Sequence, residues 1–337
     1  MKIAIHNREK SFSERWIEYC KSNKIEYVLV NAYDNDIIQQ IEGCDAFMWH
    51  FGLGFTDKLF AKQLIFSLEN SGVKCFPSFK TMWHFEDKVG QKYLLESIKA
   101  PLVPTYVFYS KKDALQWVYN ASFPKVFKLR GGAGSSNVKL ITSKQMAKKI
   151  VKKAFRKGFD PVDYGYLFQD ALEKSFHKRA RVYDVLKYLY LFFKEKAGLL
   201  LSEKQKGYVY FQDFVPNNNF DIRVVVVGDR AFALKRMARD GDFRASGSGK
   251  IIYEKQQIDE RCVQIAFEVN NHISAQSAAF DFVFNEENKP MIVEVSYGYT
   301  ASAYDYCEGY WSEDMKWHEG SHFDFCGWMV NNMMTKY

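Results

Sequence analysis

The chain has 337 residues, 47% of them hydrophobic and 17% aromatic, enough to bury a sizeable core and build two or three domains. No run of about 18 uncharged apolar residues occurs, and charges interrupt the opening "MKIAIHNREKSF" where an export signal needs an apolar stretch, so the expectation is a cytoplasmic globular protein. The formal charge of +7 points weakly to an anionic partner, but no zinc-finger spacing or RNP-type aromatic strand accompanies it, so nucleic acid is not expected.

Strand and helix patterns alternate over residues 1–84: "KIAIHN", a helix over 13–22, "EYVLVNA", a short helix, "DAFMWH", a helix over 56–70, and "VKCFPS". That rhythm predicts a parallel sheet flanked by helices. The first strand runs into "NREKSFSER" with no G-x-G-x-x-G, which removes the dinucleotide phosphate turn and with it a dehydrogenase. The cysteines Cys20, Cys44, Cys75, Cys262, Cys307 and Cys326 lack C-x-x-C spacing and read as buried, reduced thiols.

A helix over 86–99, the stretch "PLVPTYVFYS" and a helix over 112–120 lead into "FPKVFKLRGGAGSSNVKLI". Here Gly131, Gly132 and Gly134 permit positive φ and close backbone approach, Ser135 and Ser136 add hydroxyl donors, and Lys128 adds a point charge. Such a loop can turn several N–H groups onto phosphate oxygens. It is not a Walker A loop, which needs G-x-x-x-x-G-K-[ST], and taken alone it also fits a plain hairpin. The next helix, in "SKQMAKKIVKKAFRKGF", sets Met146, Ile150, Val151 and Phe155 on one face and its lysines in solvent. Residues 160–206 read as helical, aromatic and basic.

In "GYVYFQDFVPNNNFDIRVVVVGDRAFALKRMARDGDFRASGSGK" apolar strands alternate with turns and gather Gln212, Asp213, Asp221, Arg223, Lys235, Arg236, Arg239 and Arg244. Guanidiniums in such number suit the charge that develops in phosphoryl transfer. In "AAFDFVFNEENKPMIVEVSYGY" two apolar runs flank a turn, which predicts a β-hairpin. Placing Phe284 opposite Met291 sets Val283 against Ile292, Phe282 against Val293 and Asp281 against Glu294. Carboxylates directly opposite one another repel by a few tenths to about 1 kcal/mol. A divalent cation removes that conflict, and Ser296 on the same face adds an oxygen; hard oxygen ligands of this kind suit Mg2+ bound to phosphates. The alternative is that one carboxylate points to solvent or meets a lysine.

The order of these motifs resembles the ATP-grasp superfamily, and within it the RimK-type and glutathione-synthetase-like ligases, from about Phe85 to Tyr299. The resemblance implies an α/β ATP-grasp fold behind a Rossmann-like N-terminal domain, with divisions at 1–84, 85–206 and 207–337. It implies that Lys88 in "FEDKVGQKYLLES" and Lys128 contact ATP phosphates along with the glycine loop, and that Gln212, Asp213, Phe214 and Val215 receive adenine, partly through backbone. It assigns Asp221 to ribose, Arg236 and Arg244 to the γ-phosphate and an acyl phosphate, and Asp281, Glu294 and Ser296 to Mg2+. Ser296 stands where the family commonly has asparagine, a longer ligand, so a second metal position stays open. Arg223 or Arg239 would orient the acid.

The implied reaction is ATP-dependent ligation of a carboxylate to an amine through an acyl phosphate, with a small-molecule or glycan acid. The C-terminal sequence has a looser likeness to ATP-grasp proteins of bacterial surface polysaccharide synthesis. A kinase of the same fold and a regulatory nucleotide-binding module are the other readings. The tyrosines of "SYGYTASAYDYCEGYWSED" are expected to close over the acceptor. For the basic aromatic segment 174–201, core packing or a homodimer contact is favoured over a membrane surface or an anionic glycan. "WHEGSHFDF" spells H-E-x-x-H with His318, Glu319 and His322, but Gly320 and Ser321 weaken the helix that a zinc site needs, so zinc catalysis is set aside.

Overall fold

The computed structural model describes residues 1–131, 137–176, 182–197 and 203–335. They divide into two compact units: Met1–Phe85, Gly90–Val103 and Val215–Tyr337 form the first, and Glu86–Val89 with Pro104–Phe214 the second.

The first unit begins with β1 (Lys2–His6), α1 (Phe12–Ser22), β2 (Glu26–Val30), α2 (Ile37–Ile41), β3 (Ala46–Met48), α3 (Phe55–Asn70), β4 (Lys74–Phe76) and α4 (Phe79–Met82). The strands pair in parallel in the order β2-β1-β3-β4, the α/β layer read from the sequence. Strand β1 is central, and its side chains are buried on both faces. Ile3 and Ile5 enter one core with Phe12, Trp16 and Cys20 of α1, while Ala4 enters another with Phe47, Trp49 and Ile65. Helix α1 starts where the Ser11 side chain accepts the N–H of Ser13, and its buried residues recur every fourth position.

Chain order continues with α5 (Lys88–Ser97) and then, in the second unit, β5 (Thr105–Phe108), α6 (Lys111–Asn120), β6 (Lys125–Lys128), β7 (Lys139–Ile141), α7 (Lys144–Ala154), α8 (Tyr164–Phe176), α9 (Val182–Lys196) and β8 (Val209–Asp213). The sheet is antiparallel, in the order β5-β8-β6-β7. Phe127, Val209 and Phe211 point from one face into a core closed by Ala114 and Val118 of α6 and Ala147, Val151 and Ala154 of α7. The lysines of α7 lie on its other side, and Met146, expected on the apolar face, is 40% exposed.

The rest of the first unit comprises β9 (Phe220–Val227), β10 (Arg230–Met237), β11 (Ile251–Ile252), α10 (Glu260–Ile273), β12 (Ser277–Phe284), β13 (Pro290–Ser296), β14 (Gly309–Ser312), β15 (Trp317–Glu319) and α11 (Phe325–Met334). Its strands run in the order β13-β12-β9-β10-β14-β15, with β11 on β10. Alternation sorts the two faces. Val224, Val226, Ala233, Phe280 and Val295 pack with α10, whereas Val225, Val227, Phe232, Leu234 and Ala279 share a core with β1, α1 and α11. Residues 1–84 therefore pack within the same unit as the C-terminal sheet.

The β12–β13 hairpin departs from the expected register at its tip. Phe284 pairs with Pro290, Val283 with Met291 and Phe282 with Ile292; a bulge at Val293 then restores Asp281 opposite Glu294. The turn is one residue shorter than the sequence count allowed. Asn285 closes it by accepting the N–H groups of Glu287 and Lys289 on its side chain, and Asn288 takes φ 56°. The extra residue on β13 absorbs the offset.

After β13 the chain turns inward. Tyr297 donates its hydroxyl to the Phe51 carbonyl at 3.1 Å, and the Tyr299 hydroxyl meets Ser277 at 2.9 Å. A Cβ on the intervening Gly298 would lie 2.8 Å from Phe85 Cζ. Gly298→Ala should therefore lower stability by about 1–3 kcal/mol, the usual cost of overpacking, read as a lowered midpoint in urea unfolding.

Candidate active site

In the second unit the polar residues centre on the end of β6. Lys128 donates to Gln212 Oε1 at 2.6 Å, and Gln212 donates in turn to Thr105 Oγ1 at 3.1 Å. Val126, Lys128, Gln212 and Thr105 lie on one face because antiparallel pairing sets Gln212 opposite both Val126 and Thr105. Gln212 and Thr105 are buried, so the lysine is steered by a side chain with almost no freedom. Asp213, on the opposite face, pairs with Lys125 at 2.6 Å. Phe214 and Val215 follow the strand and are half-buried.

The strand leads into the glycine loop through a brace. Arg130 pairs with Asp87 at 2.5 Å, the Lys88 N–H donates to the Arg130 carbonyl at 2.8 Å, and the Arg130 N–H donates to the Tyr208 hydroxyl at 2.6 Å. Gln205 exchanges hydrogen bonds with the backbone of Gly131 and accepts the Tyr208 hydroxyl. On the far side Asn137, buried, donates to the carbonyls of Asp160 and Pro161, each at 3.1 Å. Both roots of the loop are thereby fixed and Lys88, itself buried, is brought to the Lys128 strand. Gly132, Gly134, Ser135 and Ser136 lie outside the described residues. Asp87, Arg130, Gln205 and Tyr208 were missed in the sequence, which carries no local signal joining four positions so far apart.

In the first unit the charged groups form a ladder across three strands. Arg223 on β9 sits opposite Asp281 on β12 and makes two bonds to its carboxylate, at 2.5 and 2.6 Å. Arg236 on β10 sits opposite Asp221 on β9, with bonds of 2.7 and 2.5 Å, and its Nη2 also reaches Asp281 Oδ2 at 2.9 Å. Asp281 faces Glu294 on β13, and Ser296 faces Ala279 two positions on. Two-residue periodicity puts all of these on the face that elsewhere packs Val225, Leu234 and Ala279. The sequence held a signal for half of the ladder: counting back from the two-residue Gly228-Asp229 turn sets Asp221 against Arg236.

Burial and charge set the protonation states. Burial pushes the Asp281 carboxyl up, but Arg223 and Arg236 together outweigh it and hold the group well below the usual carboxylate range. Asp221 is raised to about 6, by burial first, with its one guanidinium partner only partly offsetting that and Asp281 adding repulsion. The Tyr304 hydroxyl, packed near the same arginines, is pushed up to about 12 by burial.

Several expected site residues stand elsewhere. Asp221, expected at ribose, has both oxygens on Arg236. Arg244 lies in the 238–250 loop with its guanidinium on Asp242 at 2.6 Å, and Arg239 Nε donates to the Gly247 carbonyl at 2.5 Å. The Ser296 hydroxyl donates to the Gly298 carbonyl at 2.8 Å, which leaves its lone pairs for a cation. Tyr297, Tyr299 and Tyr304, expected to cover an acceptor, are interior core residues, whereas Tyr306 is 70% exposed. His318 and Glu319 belong to β15 and His322 has φ 62°, so H-E-x-x-H does not form the helix of a zinc site. Among the described residues no three His, Cys, Asp or Glu side chains gather as a metal cluster.

The antiparallel sheet with its charged ladder, the smaller antiparallel sheet and the parallel N-terminal layer share the ATP-grasp fold of solved structures. Residues 194–304 match the model of the RimK-like ATP-grasp domain. Among solved structures, a RimK domain ATP-grasp protein from Sphaerobacter thermophilus is 14% identical with a TM-score of 0.59, covering 99% of this chain and 100% of that one. The biotin carboxylase domain of 2-oxoglutarate carboxylase from Hydrogenobacter thermophilus, with MgADP and bicarbonate, is 12% identical with a TM-score of 0.61, over 99% of this chain and 70% of that one. D-alanine–D-alanine ligase from Bacillus anthracis, complexed with ATP, is 13% identical with a TM-score of 0.54, over 89% and 87%. No curated protein matches the sequence.

Two outcomes follow from the ladder. Removing one carboxylate while leaving its guanidinium buried costs roughly 3–5 kcal/mol, so Asp281→Ala should lower the urea midpoint strongly, and the double variant Asp281→Ala with Arg223→Met should recover part of the loss. Asp221, raised to about 6 in the folded chain against roughly 3.9 unfolded, binds its proton more tightly when folded. Its contribution to stability is therefore fully present below about pH 4 and is lost as pH rises through 6. Asp221→Asn should flatten the stability profile across that window, measured by unfolding at fixed pH values.

Proposed function

We propose that the chain is an ATP-dependent, ADP-forming ligase that joins a carboxylic acid to an amine. The observation that carries this reading is the register of Asp281 with Glu294 in a sheet whose neighbouring strands supply two guanidiniums to the same face. The ATP-grasp fold and the RimK-like domain match support it.

The donor set fits Mg2+. Asp281 and Glu294 are direct cross-strand partners, hard oxygen ligands on one face, and Ser296 adds a hydroxyl on the same face. Of the four lone-pair sites of the Asp281 carboxylate, three take guanidinium N–H groups, and one on Oδ1 remains. Bound there, Mg2+ would supply charge neutralisation and polarisation of a phosphoryl oxygen.

The chain's own groups divide the remaining work. Lys88 and Lys128 would bind phosphate oxygens, Lys128 steered by Gln212, while Gly131, Gly132, Gly134, Ser135 and Ser136 would close over them and exclude water. The backbone of Gln212 to Val215 would receive adenine. Asp221 takes the role of positioning Arg236, in place of a ribose contact. Arg223 and Arg236 keep their Nη1 N–H groups outside these ion pairs, and so would steady the anionic oxygens as the substrate carboxylate attacks the γ-phosphorus. That attack would break the γ-phosphorus bond to the bridging oxygen, releasing ADP and leaving an acyl phosphate; the amine would then attack its carbonyl carbon, expelling phosphate and giving up a proton to form the amide. Arg244 would join only if the 238–250 loop moved it off Asp242. A glycan acid or another small acid fits this chemistry equally.

With a panel of acids, ATP, Mg2+ and hydroxylamine, the expected outcome is an acid-dependent hydroxamate together with ADP; ADP without hydroxamate would mean a phosphate ester and a kinase. Asp281→Asn and Glu294→Gln should each lower Mg2+-dependent ADP release by roughly a hundredfold or more, the scale of losing a transition-state charge contact. Lys128→Met should cut kcat/KM for ATP, and wild-type rates in the carboxylate variants would remove the metal assignment.

A further inference from the structure

Helix α9 presents a feature that the ligase reading does not use. Tyr183, Leu186, Tyr190 and Phe193 are 69%, 60%, 58% and 62% exposed, and their spacing of three, four and three residues forms one stripe on a helix face. The other side of α9 packs on α8, where Gly165 sits against the Phe192 ring. Four large apolar side chains in line on 15 residues is more than the scattered exposure normal for a soluble surface. Lysines border them: Lys187 is exposed, Lys194 lies over the Tyr190 ring at 4.9 Å and Lys196 over the Phe192 ring at 5.4 Å. On α9 itself Lys187, Lys194 and Lys196 stand against Asp184 and Glu195, and Lys174, Lys178, Arg179 and Arg181 precede it in the sequence.

We infer that this face of α9 docks on a bilayer surface rich in anionic lipid, with the four apolar side chains at the acyl boundary and the lysines among the headgroups. Charge chooses this occupant. A second copy of the chain would set the same lysines against each other, and a soluble polyanion would give no return for burying Leu186 and Phe193. Both elements together, an apolar stripe and a cationic margin, match an interfacial helix whose long basic side chains reach back to the polar layer. No described helix is long and apolar enough to cross a membrane, and α9 at roughly 1.5 Å per residue is shorter than a hydrocarbon core, so it would lie in the surface plane. The inference is independent of the ligase reading, since none of these residues belongs to the proposed site.

The test is co-sedimentation of the full chain with phosphatidylcholine vesicles, with and without phosphatidylglycerol. Binding is expected only with the anionic lipid and should fall as salt is raised. Reversing Lys187, Lys194 and Lys196 to Glu should weaken partitioning by roughly a hundredfold or more, and the variant Leu186→Gln with Phe193→Gln by at least about tenfold, each with unchanged circular dichroism. The inference is overturned by no binding to anionic vesicles at low salt, by equal binding to neutral vesicles, or by charge reversal that changes nothing. It is likewise overturned if the chain ignores vesicles and the glutamine variant instead turns a dimer into a monomer in sedimentation velocity.

Discussion

Two half-buried guanidiniums and two buried carboxylates, set on neighbouring strands and paired in alternation, are the constraint around which the first unit is arranged. Each charge is costly to bury and tolerable only beside its partner. Arg223 and Arg236 both lean on Asp281, and Arg236 leans also on Asp221. The sheet register must therefore be held to the residue, because a slip by one would send every one of these groups to the opposite face, among Val224, Val226 and Phe280. Packing on both faces of β9 and β12 enforces that register. Apolar replacements of similar shape are often at least as stable as such buried ion pairs, so stability alone does not account for the charged row.

The second unit solves a related problem by another means. The described residues on either side of the glycine-rich segment are each held in place. Gln205 grips the backbone of Gly131 and Tyr208 that of Arg130, Asn137 grips the Asp160–Pro161 carbonyls, and the Asp87–Arg130 pair ties the start of α5 to the same strand. Lys128 gains its aim from an amide that is itself held by Thr105.

What the sequence revealed follows the range of the physics involved. The parallel layer was legible because β1 to β4 are short apolar runs separated by helices, and the Asp281–Glu294 pairing came out as counted because the bulge at Val293 offsets the misjudged turn. The turn itself was misjudged by one residue, since Asn285 and Asn288 close it with side-chain bonds and a left-handed residue that a count of letters does not weigh. Arg223 facing Asp281 was out of reach: β9 and β12 pair across a long intervening segment, and no periodicity fixes such a meeting. Tyr297, Tyr299 and Tyr304 show the converse error, where aromatic side chains near a site suggested a cover and proved to be interior packing.

The bulge at Val293 separates two demands on one hairpin. The tip can be set by whatever turn its asparagines favour, while the base stays locked to β9 by Asp281 and Arg223. A one-residue change in the length of that tip can thus be taken up within β13 before it is felt at the carboxylates. Divergence at the 285–289 turn is decoupled from the charged row, leaving the hairpin end free to drift while the ion pairs stand still.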